Sequence, residues 1–94
     1  MSIGEFRRRM AEGAPLAGTF MKTPAVDVLE VLMLGGLDFV CLDAEHAPFD
    51  RAALNALCAV ARAADFPVLV RVPSGSAEQI GMALDAGAQG IVVP

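Results

Sequence analysis

The chain has 94 residues, 55% of them hydrophobic and 19% charged, with a formal charge of −4 and a pI of about 4.7. One domain at most fits that length, and the acidic balance excludes a nucleic-acid partner, whose phosphates call for a basic face. No run of about 18 apolar residues spans a bilayer, and Met10-Ala-Glu-Gly-Ala-Pro15 is no signal-peptide core, so a cytoplasmic protein without a membrane partner is expected.

In chain order, Ser2-Ile-Gly-Glu5 has the form of a capping box and Gly13 offers a stop, which predicts a short amphipathic first helix. Arg7-Arg8-Arg9, flanked by Glu5 and Glu12, reads as its solvated face. Pro15-Leu-Ala-Gly-Thr-Phe-Met21 suits a strand. Thr23-Pro24 predicts a second helix with Thr23 as cap and proline at the first helical position; Val28, Leu29, Val31 and Leu32 follow, and Gly35-Gly36 ends it. Asp38-Phe-Val-Cys-Leu42 is a continuous apolar run after one polar residue, the mark of a strand buried on both faces.

Asp50 then caps a third helix in which Leu54, Leu57, Cys58 and Ala61 share a face, with Phe49 and Leu54 placed as a hydrophobic staple. Pro67-Val-Leu-Val-Arg-Val72 is the third strand, Ser76-Ala-Glu-Gln79 opens a fourth helix, and Gly90-Ile-Val-Val93 begins a fourth strand. Cys41 and Cys58 lie in apolar contexts without CxxC spacing and read as buried free thiols.

Strands starting near residues 16, 38, 67 and 90 alternate with single helices, the pattern of parallel βα units. An open doubly wound sheet that binds dinucleotides needs a glycine-rich loop after its first strand, and Met21-Lys-Thr-Pro24 is not one. The expected fold is therefore α/β, of the (β/α)8 TIM-barrel type, with the first three to four βα units present. A whole barrel takes about 250 residues, so residues 1–94 are expected to be the incomplete N-terminal part of such a domain.

The unusual polar residues collect where that architecture carries its chemistry, at the carboxyl ends of the strands. Asp43 and Glu45 are two apart and would point to one side of an extended strand, His46 follows, and Arg71 ends the neighbouring strand. Two readings of the cluster stand: an Asp/Glu–Arg bridge that closes the barrel mouth with His46 as a loop residue, or a base with an oxyanion stabiliser suited to enolising a carbonyl substrate. Lys22, the only lysine, has no apolar surroundings of the kind a Schiff-base lysine needs, so a metal would be expected as electrophile.

Phe39-Val-Cys-Leu-Asp-Ala-Glu-His-Ala-Pro48, then Val70-Arg-Val-Pro73 and the stretch from Gln79 to Pro94, resemble the opening third of the HpcH/HpaI family of metal-dependent class II pyruvate aldolases. The resemblance covers nearly the whole chain. It implies a carbon–carbon lyase that reversibly cleaves a 4-hydroxy-2-oxo acid, of the 2,4-dihydroxyhept-2-ene-1,7-dioate type from aromatic-compound catabolism, to pyruvate and an aldehyde through a metal-stabilised enolate. His46 would be the catalytic base with Asp43 as its dyad partner, and Arg71 would hold the keto oxygen of pyruvate.

By the same resemblance Asp85 matches a carboxylate that reaches a neighbouring subunit's site in a homo-oligomer; by itself it reads as a solvated helix charge. Glu45 belongs to the signature and is assigned to substrate binding, by pairing with Arg71 or orienting the loop. The divalent ion (Mg2+, Mn2+ or Co2+) would be held by a glutamate and an aspartate on later strands, not by residues of this chain. Alternatives are a truncated, inactive barrel fragment that self-associates through its strand edges, and a related barrel lyase acting on acyl-CoA esters.

Overall fold

The computed structural model describes all 94 residues. After helix α1 (Ile3–Ala11), strands β1 (Gly18–Met21), β2 (Phe39–Asp43), β3 (Val68–Arg71) and β4 (Gly90–Val92) alternate with helices α2 (Val26–Met33), α3 (Arg51–Ala63) and α4 (Ala77–Ala86). The strands form one sheet in the order β1-β2-β3-β4, every neighbouring pair parallel. This is the repeating βα arrangement expected from the spacing of the apolar runs.

Most helix starts lie where their side chains dictate. The Ser2 hydroxyl accepts from Glu5 N–H at 3.1 Å, the Asp50 carboxylate from Ala53 N–H at 2.8 Å, and the Ser76 hydroxyl from Gln79 N–H at 3.2 Å, satisfying amides that the helix itself leaves free. Helix α2 departs from expectation. Its N-cap is Ala25, with no side-chain cap, because Ala25 N–H donates to the Thr23 carbonyl at 2.8 Å in a tight turn, which holds Thr23 and Pro24 outside the helix. At the far end of α4, Gly87 closes the helix with φ of +113°, a left-handed conformation that side chains resist.

The period of two along each strand sorts residues between two layers. Met21, Val40, Leu42, Val68, Val70 and Val72 face the helices and join Leu29, Leu54, Leu57, Cys58, Ala61 and Ala83 in one buried core. Residues of the opposite parity, among them Gly18, Phe20, Phe39, Cys41, Leu69 and Val92, line the other face, which carries no helix of the repeating units. Gly18 is required there by close approach, since a Cβ at that position would lie 2.5 Å from the Phe39 ring. Both cysteines are buried and unpaired, as expected, and burial pushes both thiols up, so they pack as apolar groups.

Helix α1 belongs to neither layer. Its buried Phe6 lies against Phe39, ring centroids 5.6 Å apart and tilted by 53°, at the amino-terminal end of the open face. The arginine run divides accordingly. Arg7 is exposed and Arg8 pairs with Glu12 at 3.3 Å, but Arg9 is half-buried, donates to the Pro15 carbonyl at 3.1 Å and lies 3.9 Å from Asp38. Arg9 ties the helix to the chain's entry into β1 and is not part of a solvated face.

Candidate active site

Strand β2 ends at Asp43, and its carboxylate is the one buried charge of the molecule, with no accessible surface. Burying it requires compensation, and the compensation is complete. Oδ1 accepts from the backbone N–H of Glu45 (3.1 Å), that of His46 (3.0 Å) and Arg71 Nε (3.2 Å), while Oδ2 accepts from Arg71 Nη2 at 2.7 Å. Four donors meet a group with about four acceptor sites. The parallel register makes this possible by setting Asp43 directly opposite Arg71.

The Arg71 hydrogen bonds hold the Asp43 carboxyl well below the usual carboxylate range, against the opposing pull of burial, and the loop amides add to the effect. Reciprocally, Asp43 pushes the Arg71 guanidinium up. Arg71 spends only one edge on this bidentate contact. Its Nε also lies 3.4 Å from Glu45 Oε1, whereas Nη1 makes no hydrogen bond, and its Cζ lies over the Phe20 ring, 4.3 Å from the centroid. An unspent donor edge therefore faces the open side of the sheet.

His46 is placed by the loop that Asp43 holds. Its side chain is 59% exposed, and Nε2 lies 3.1 Å from Glu45 Oε1. The contact brings a carboxylate beside the imidazole without forming a hydrogen bond to it.

Glu45 Oε1 is the carboxylate oxygen beside the imidazole, and Asp43 reaches His46 through the backbone N–H. The physical reason is that Asp43 is saturated by Arg71 and the loop, while Glu45 lies past the strand end, in the turn, and is free to lie along both His46 and Arg71.

Of the residues singled out by sequence, Asp43, Glu45, His46 and Arg71 come together. Asp85 does not. It is exposed near the end of α4, a helix that starts on the side of the strand carboxyl ends, so Asp85 lies roughly 13 Å further along the helix axis. Two residues enter the cluster that sequence did not place there: Phe20, and Lys22, whose Nζ lies 3.9 Å from Asp43 Oδ2. Both follow from the pairing of β1 with β2, since Phe20 lies opposite Cys41 and Met21 opposite Leu42. No group of three or more His, Cys, Asp or Glu side chains in the chain is arranged to hold a metal ion.

Similar proteins share this arrangement of strands. The chain is 40% identical, over its whole length, to a hydroxypyruvate/pyruvate aldolase of Paraburkholderia phytofirmans, of which it covers 35%. It superimposes with a TM-score of 0.84 and 30% identity on the crystal structure of an HpcH/HpaI aldolase from Desulfitobacterium hafniense, covering 94% of this chain and 34% of that one. A TM-score of 0.85 and 35% identity relate it to the citrate synthase SbnG, with 94% and 36% covered.

The chain therefore spans about a third of the length of the relatives it matches, and its sheet is the first half of a (β/α)8 barrel. Residues 16–94, which include every strand and the whole Asp43–Glu45–His46–Arg71 cluster, match the HpcH/HpaI aldolase/citrate lyase family, and the chain belongs to that family.

Proposed function

We propose that the chain is the amino-terminal part of a carbon–carbon lyase that cleaves a 4-hydroxy-2-oxo acid reversibly to pyruvate and an aldehyde. The observation that carries this reading is the pairing, at the carboxyl end of parallel strands, of an exposed imidazole with an arginine whose Nη1 makes no hydrogen bond. The His46 imidazole takes the proton of the 4-hydroxyl, the C3–C4 bond breaks as the aldehyde leaves, its electron pair forms the C2=C3 double bond, and the carbonyl pair moves to the keto oxygen. That oxygen becomes an enolate facing the Arg71 fork, and return of the proton held by His46 to C3 gives pyruvate. Glu45 orients the imidazole, and Asp43 locks Arg71 and the loop. Names that relatives carry, a hydroxypyruvate/pyruvate aldolase among them, support a 2-oxo acid as substrate.

The residues of this chain do not fit a metal centre. Asp43 already accepts four hydrogen bonds, and Glu45 lies between two cationic or proton-donating partners. The ligands of the divalent ion that the family implies would lie on later strands of the barrel. A cytoplasmic setting, a role in aromatic-compound breakdown and a homo-oligomer in which Asp85 serves a neighbouring subunit complete the reading.

Exchange of the pyruvate methyl protons with deuterium, followed by NMR with and without Mn2+, tests it. Exchange lost in His46→Ala is the expected result; exchange unchanged in that variant removes the base assignment, and no exchange from the chain itself removes the activity from these 94 residues. A second reading rests on the apolar open face of the sheet and the two outer strands, each paired on one side only: an inactive half-barrel that self-associates. Its mark is a silent exchange assay together with a solution mass well above 9.8 kDa.

A further inference from the structure

We propose that Phe20 is a positioning residue that fixes the plane of the Arg71 guanidinium and so aims its free Nη1 edge at the oxygens of a 2-oxo acid. The inference rests on the reading of Arg71 as the group that holds pyruvate. It starts from register. Phe20 lies opposite Cys41 on β2, and Arg71 lies opposite Asp43 on the far side of the same strand. With parallel neighbours about 4.8 Å apart, β1 and β3 are separated by roughly 10 Å, which only a long side chain crosses. Arg71 crosses it, over Asp43, and ends 4.3 Å from the Phe20 ring centroid, within the range of a cation–π contact.

The contact supplies what Asp43 does not. Two hydrogen bonds along the Nε–Nη2 edge fix that edge but leave the guanidinium free to swing about it. The Phe20 ring 4.3 Å from Cζ restricts that swing. Asp43 sets where the group is, and Phe20 sets which way its unspent edge points.

Phe20 is also poorly explained as a packing residue. It lies outside the buried core that the helices cover, and its ring lies against the Arg71 guanidinium. Leucine at this position would keep most of the apolar bulk but lose the flat, electron-rich face. Tryptophan would keep it.

The test compares Phe20→Leu with Phe20→Trp in 15N-labelled protein, reading hydrogen exchange and ring-current shift at the Arg71 Nε–H signal and pyruvate affinity by NMR titration. Phe20→Leu is expected to speed exchange at Nε–H, to move its shift, and to weaken pyruvate binding about two- to fivefold, the range of a partly exposed cation–π contact. Phe20→Trp restores slow Nε–H exchange and pyruvate affinity. Wild-type Nε–H exchange in Phe20→Leu overturns the proposal, and so does weaker pyruvate binding with an unmoved Arg71 signal, which would mean that Phe20 touches the substrate itself. Arg71→Lys separates the two levels: pyruvate affinity unchanged in that variant, or absent from the wild type, sinks the role of Arg71, while the Nε–H signals of the Phe20 variants still decide whether the ring holds the guanidinium.

Discussion

The two ends of the open face of the sheet are built from the same strand parity and do opposite things. At the amino-terminal end, Phe39 of β2 meets Phe6 of α1 in a closed aromatic contact. Four residues further up the same strand, on the same side, Asp43 is buried against Arg71 with a loop, a histidine and an unspent donor edge around it. One end offers apolar area removed from water, which is worth stability and nothing else. The other spends burial on a charge, a costly arrangement that a barrel tolerates at the end where its chemistry lies.

If the division is real, substitutions at the two ends should separate stability from chemistry. The largest effect is expected from His46→Ala, about a hundredfold or more off pyruvate proton exchange, with an unfolding midpoint close to wild type because the side chain is mostly exposed. Phe6→Ala should do the reverse, lowering stability in urea by about 3 kcal/mol while leaving pyruvate affinity where it was. A loss of exchange in Phe6→Ala beyond its loss of folded protein would break the comparison.

A pH titration sharpens it. The folded Asp43 carboxyl titrates below its unfolded value, so its contribution is fully present above about pH 4 and is lost as pH falls through the folded value. Wild type should therefore lose stability more steeply than Asp43→Asn below about pH 4, whereas Phe6→Ala should run parallel to wild type across that window. Smallest is Ser76→Ala, which removes the α4 cap at a cost of about 1 kcal/mol and should touch neither end; a change in pyruvate affinity there would show that α4 communicates with the Arg71 strand.

Much of this was legible in the sequence, for reasons that the misses make plain. Element order, three of the four helix caps and the buried face of α3 follow from local chemistry, and local chemistry is what a sequence displays. Thr23 misled because its carbonyl, not its hydroxyl, makes the turn, a choice between two groups of one residue that no spacing records. The expected pairing of Glu45 with Arg71 is present at 3.4 Å, but its contact with His46 was not legible. Period-two reasoning holds only while the strand lasts, β2 stops at Asp43, and the direction of a side chain two residues into a turn is set by what it finds there. Phe20 and Lys22 escaped because their place in the cluster depends on the β1–β2 register, a long-range fact.

The sheet order has a consequence for how the site comes into being. Because spatial order equals chain order, Gly18 meets Phe39, Val40 meets Val68 and Leu69 meets Gly90, so neighbours are always 21 to 28 residues apart and each loop closes at nearly the same entropic cost. A chain leaving the ribosome can lay each new strand on an edge already formed. On that route Asp43 waits without its partner while α3 is synthesised, and every group of the cluster, from Phe20 to Arg71, becomes available in the step that adds the third strand.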